Sequence, residues 1–106
     1  MFGFLGRMDI NKGVSEFRAT DGAVLLDVRT KDEYRGGHVP GSRNIDVNQI
    51  EKVTALASDK ATPLFVHCLS GARSGRAVNA LKSMGYTNVK NIGGISAYTG
   101  PLEKSS

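Results

Sequence analysis

The chain predicts an α/β fold built on a mostly parallel central sheet with helices on both faces. Three observations lead there. Two apolar runs, residues 23–28 (AVLLDV) and 64–67 (LFVH), are too short for buried helices and read as buried strands. Stretches of helical periodicity separate the strand-like runs, so successive strands return by crossovers and lie parallel. At 106 residues, 40% hydrophobic and 23% charged, the chain has the size and balance of one soluble domain with its own core.

Each element has its own warrant. Residues 1–7 are apolar but far too short for a signal sequence or a membrane span, and read as a short N-terminal arm. A single domain is expected over 8–100, with a polar C-terminal tail at 101–106. Val14 and Phe17, three apart after Asp9 and Asn11, indicate a short first helix before the strand at 23–28. Thr30 and Glu33 form a capping-box pattern, and Gly36 and Gly37 stop that helix after about a turn and a half. His38, Val39, Pro40 and Gly41 make a turn. Val47, Ile50, Val53, Leu56 and Ala57 share one face of an amphipathic helix over 47–58.

After the strand at 64–67, a loop over 68–74 leads into a helix whose apolar side is Ala77, Val78, Leu81 and Met84, ended by Gly85. A further strand is expected at 88–92, then a sharp turn at Gly93 and Gly94, then a short helix at 95–98.

Fourteen Lys and Arg against ten Asp and Glu give a formal charge of +4, which favours small anionic ligands at a basic cleft. The basic residues are scattered singly and Trp is absent, so no nucleic-acid footprint is read. One Cys makes no internal disulfide, and one Cys with two His offers no zinc-ligand spacing. Neither metal nor cofactor is expected. A lone thiol suits a reducing, cytoplasmic compartment.

That thiol carries the functional reading. Cys68 stands where the apolar run ends and Leu69, Ser70, Gly71, Ala72, Arg73 and Ser74 open a helix. Backbone N–H groups and a helix N-terminus converge on anions at such junctions, stabilising a thiolate. A free Cys also serves as a small buried hydrophobe. The polar residues that follow Cys68 favour the reactive reading. Arg73 offers either a bidentate grip on an oxyanion or a structural ion pair, and Ser74 either a hydrogen bond to the bound anion or a helix cap. His67, one residue before Cys68 in a strand, points to the opposite face and reads as a packed histidine.

The stretch 27–45 (DVRTKDEYRGGHVPGSRNI) resembles the first signature of rhodanese domains, and 68–74 (CLSGARS) resembles their active-site loop. Residues 91–95 (NIGGI) are similar to the Gly-Gly turn late in the same fold. The resemblance implies a rhodanese-like, single-domain thiosulfate sulfurtransferase. In that family the cysteine thiolate attacks the outer sulfur of thiosulfate, sulfite leaves, and the persulfide is handed to a nucleophile. Carried over, Cys68 is the sulfur carrier, and the N–H groups from Leu69 to Ser74 cradle the charged sulfur. Arg73 would meet the dianion. Asp27, Arg29 and Glu33 would brace the loop as an acid–base–acid cluster, and His38 would fix its turn. The expected partners are a small anionic sulfur donor and a thiol or protein sulfur acceptor, with no nucleic acid and no membrane. The pocket of such a single domain is expected to be open.

Two rivals remain. A cysteine phosphatase or arsenate reductase of the cell-cycle phosphatase type also begins its loop with His-Cys and closes it with Arg. Its loop has five intervening residues, whereas four separate Cys68 from Arg73. The second rival is a persulfide carrier or protein-interaction module on the same fold.

Overall fold

Residues 8–105 are described by the computed structural model; the expected arm at 1–7 lies outside them. Asp9 caps the first helix, α1 (Ile10–Arg18), its carboxylate accepting from the Asn11 and Lys12 amides. Strand β1 (Val24–Asp27) follows, then α2 (Lys31–Gly36), which carries a complete capping box between Thr30 and Glu33. A two-residue strand, β2 (Arg43–Asn44), precedes β3 (Leu64–Cys68), α3 (Ala72–Ser83) and β4 (Val89–Gly94).

The sheet order is β2-β1-β3-β4, and every pairing is parallel. Two apolar clusters cover its faces. Leu26, Val66 and Cys68 pack with Ala77 and Leu81 of α3, while Leu25 and Phe65 pack with Ile10 and Val14 of α1. Alternate residues of β1 and β3 thus serve opposite layers, as a period of two requires. Gly13 lets α1 lie directly on β4: a Cβ there would stand 2.5 Å from Ile92 Cβ.

Three local expectations are corrected. The segment expected as an α-helix over 47–58 is a 3₁₀ helix, Val47–Ala55, broken by non-helical dihedrals at Gln49. Ile50 and Val53, spaced by three beyond the break, share one side at three residues per turn. Gly93 and Gly94 do not form a turn but end β4, where the pairing with β3 shifts by one residue between Val66 and His67. This bulge leaves Ile92 in the α1 layer while Asn91 and Gly94 pair with Val66 and Cys68. Strand β2 was not expected, because two residues carry no readable alternation.

The C-terminal residues lie along the end of α2. Glu103 exchanges backbone hydrogen bonds with His38 at 2.8 and 2.9 Å, and the Ser105 amide donates to the Arg35 carbonyl at 3.1 Å.

Candidate active site

Strand β3 delivers Cys68 to the carboxyl edge of a parallel sheet, where α/β folds gather ligands. Only Leu69, Ser70 and Gly71 form the loop proper. Ala72, Arg73 and Ser74, expected in the loop, occupy the first turn of α3, and Gly71 sits at its N-cap with no side-chain cap bond. Gly71 holds φ +107°, a conformation that side-chain-bearing residues rarely adopt.

That conformation aims the Gly71 N–H at the sulfur, to which it donates at 3.0 Å. Ser74 Oγ stands 3.4 Å from the same sulfur. Burial pushes the Cys68 thiol up, but hydrogen bonds from the Ser74 hydroxyl and from the amides of Ser74, Gly71 and Ser70 outweigh it, so the thiol is held below its ordinary range. Cys68 is 1% exposed and also joins the apolar α3 layer. The expectation of an open pocket is therefore not met: the loop folds over the sulfur, with Leu69, Ser70 and Ala72 facing water.

The expected bracing cluster divides into two. Arg29 grips Asp27 through Nε at 3.0 Å and Nη2 at 2.7 Å, and its Nη2 also donates to the Gly37 carbonyl at 2.8 Å; both side chains are buried. Glu33 belongs elsewhere. It takes a two-pronged ion pair from Arg73, Nη1 to Oε1 at 2.7 Å and Nη2 to Oε2 at 3.0 Å. The Arg73 guanidinium, with the Thr30 amide and hydroxyl, holds the Glu33 carboxyl down at about 2 against the opposing effect of burial. Arg73 is raised in turn, chiefly by Glu33. His38 stacks on Tyr34 at 3.9 Å between centroids and shares a 2.9 Å hydrogen bond with the Tyr34 carbonyl, which fixes the turn after α2.

His67 pairs in register with Asp27 and lies on the face of the sheet opposite Cys68. Its Nε2 is buried without a hydrogen-bond partner, 4.0 Å from Asp27 Oδ2. Sequence reasoning missed Asn91. Its Oδ1 lies 2.8 Å from Ser74 Oγ and accepts from the Gly93 amide at 3.0 Å, while its Nδ2 donates to the Gly71 carbonyl at 3.2 Å. The one available signal was a polar amide inside a strand pattern.

Among the described residues no group of three His, Cys, Asp or Glu stands together to hold a metal, and no helix is long and apolar enough to cross a membrane. A cavity of about 580 Å³ lies between α2 and the 3₁₀ segment and contains no residue of the Cys68 loop. A smaller one of about 370 Å³ is lined by Arg29, Asp32, Glu33, Gly37, Ile95 and Leu102 and likewise contains no residue of the Cys68 loop.

Residues 12–100 match the family model described as rhodanese-like domain. The chain belongs to that family. This rhodanese-like domain is 37% identical over 91 residues to the uncharacterized protein YqhL of Bacillus subtilis, covering 83% of this chain and 71% of that one. It is 36% identical over 80 residues to the thiosulfate sulfurtransferase PspE of Escherichia coli, covering 74% and 77% respectively. Among solved structures it is similar to an E. coli rhodanese with anions, at a TM-score of 0.73 and 34% identity over 78% of this chain and 99% of the other. These relatives support sulfur transfer as the general chemistry of the rhodanese-like domain.

Proposed function

We propose that the protein is a sulfurtransferase that moves a sulfane sulfur from thiosulfate or a similar donor to a thiophilic acceptor, such as cyanide, a thiol or a protein thiol. The observation that carries this reading is the 3.0 Å hydrogen bond from Gly71 N–H to Cys68 Sγ, at the start of α3. The Cys68 thiolate attacks the outer sulfur of the donor, a new S–S bond forms, and the donor's S–S electron pair leaves with its remainder, sulfite in the case of thiosulfate. The charged terminal sulfur of the persulfide is then held by the amides at the start of α3, of which the Gly71 N–H already donates to Cys68 Sγ. No cofactor enters this cycle. A thiol that must stay reduced suits a cytoplasmic setting.

Access is the remaining step. With Cys68 1% exposed, a donor reaches its sulfur only after the loop moves aside. The same closure favours a second reading, a carrier whose covered persulfide outlasts turnover. Intact mass measurement separates them: incubation with thiosulfate adds one sulfur atom, cyanide removes it, and Cys68→Ser shows neither. No adduct on the wild-type chain, with turnover of an aryl phosphate, would replace the proposal with the phosphatase. A stable adduct with negligible turnover favours the carrier.

A further inference from the structure

We infer that the cavity of about 580 Å³ between α2 and the 3₁₀ segment is a second binding site, for a phosphate-bearing organic anion of nucleotide size. It is separate from the Cys68 chemistry, since no residue of that loop lines it. Lys31 and Arg35 stand four apart on α2, so their side chains share one face, and Lys52 enters from the 3₁₀ segment. Like charges four apart on a helix repel, and an anion between them removes that repulsion.

Among the described residues Asp46 is the one carboxylate on this wall, against three cations. It caps the 3₁₀ segment, accepting from the Asn48 amide at 2.9 Å. No described carboxylate forms an ion pair with Lys31, Arg35 or Lys52, and Lys52 donates to the neutral Gln49 side chain at 3.1 Å. Elsewhere Arg29 is matched by Asp27, Arg73 by Glu33 and Lys90 by Glu16. A concave wall with a surplus of one sign concentrates its field and gathers the counter-ion.

The volume falls within the roughly 300–1,000 Å³ of small-molecule sites. Cations from two elements suit a chain of phosphate groups better than a single one. Between them Tyr34 and Ile45 supply apolar surface, and Asn48 and Gln49 supply amides, which suits an organic body with hydrogen-bonding edges. The Tyr34 part of the wall is already set: its hydroxyl donates to the Ser42 carbonyl at 2.6 Å and its ring stacks on His38. Little ordering is then required on binding. A nucleoside diphosphate has both the charge and the body.

The test is calorimetric titration of the full chain at low salt with ADP, adenosine and pyrophosphate. ADP is expected to bind about tenfold more tightly than adenosine, through the ion pairs, and about tenfold more tightly than pyrophosphate, through the organic body. Lys31→Gln and Lys52→Gln are each expected to weaken ADP about threefold. Lys82→Gln, the same charge change at an exposed position of α3, is expected to leave it unchanged.

ADP no tighter than adenosine would overturn the site, and that comparison needs no variant to fold. Equal weakening by Lys52→Gln and Lys82→Gln would show a diffuse basic surface and overturn it too. Pyrophosphate as tight as ADP would overturn the organic body. An oligoglutamate peptide that binds more tightly than ADP, with the same dependence on Lys31 and Lys52, would assign the cavity to an acidic protein segment instead. Loss of ADP binding in Cys68→Ser would place the ligand at the Cys68 loop and overturn the separation of the two sites. None of these readouts depends on sulfur transfer.

Discussion

Asn91 Oδ1 stands 2.8 Å from Ser74 Oγ, and through that serine β4 reaches the sulfur of Cys68. The Ser74 hydroxyl has one proton and four acceptors around it: Asn91 Oδ1, the Gly71 carbonyl at 3.0 Å, the Gly93 carbonyl at 3.5 Å, and the sulfur when ionised. With the thiol protonated, S–H donates to Ser74 and Ser74 donates onward. With the thiolate, the serine proton turns to sulfur. Ser74→Ala removes that donor and is expected to move the midpoint of Cys68 alkylation against pH upward. An unmoved midpoint would show that the amides alone hold the thiolate.

Asn91 also joins three groups, the Ser74 hydroxyl, the Gly71 carbonyl and the Gly93 amide. Asn91→Leu takes the acceptor from the Gly93 amide and one acceptor from Ser74, while the Gly71 carbonyl keeps the Gly75 amide at 3.1 Å, and is expected to cost about 1–3 kcal/mol in chemical denaturation. Wild-type stability in this variant would mean that water replaces the amide without loss.

At Gly71 the difficulty is conformational rather than spatial, since a Cβ there would meet nothing closer than 3.5 Å while φ is +107°. Gly71→Ala is expected to cost about 1–2 kcal/mol and to turn the amide away from Sγ. Loading of Cys68 with sulfur should fall more than stability does. Intact loading would detach the Gly71 N–H from the chemistry.

Gly94 presents the opposite case. A Cβ there would run into the Leu69 carbonyl and stand 2.5 Å from Ser70 Cα, both backbone. Gly94→Ala is expected to displace the loop and to destabilise by about 2–4 kcal/mol, read by thermal unfolding and by faster alkylation of a newly exposed thiol. A fold and thiol as closed as wild type would mean that the loop yields without cost.

Burial lowers the His67 pKa, with Asp27 acting against it. Below pH 6.5 the unfolded chain takes up this proton while the folded one resists it, so stability attributable to His67 is present above 6.5 and is lost as pH falls below it. Glu33, held at about 2 against 4.5, acts only below pH 4.5, so it adds nothing to the slope just below 6.5. His67→Leu is expected to flatten the dependence of unfolding midpoint on pH just below 6.5. An unchanged slope would assign that limb to another group.

Periodicity, capping signals and glycine stops are local properties, and they gave the order of α1, β1, α2, β3, α3 and β4, the α2 capping box and a place for Cys68 where β3 ends ahead of α3. They also put His67 and Cys68 on opposite faces, because a strand alternates whatever it packs against. The pairings within the site were decided only by the tertiary structure. Glu33 and Arg73 are 40 residues apart in the chain, and Asn91 is 17 from Ser74. Nothing local distinguishes an arginine that awaits an anion from one already holding a carboxylate. That choice was made when α2 packed beside the start of α3, and the register of β4 against β3 set Asn91 opposite Val66: contacts between distant segments depend on sheet order and register, which residue spacing does not encode.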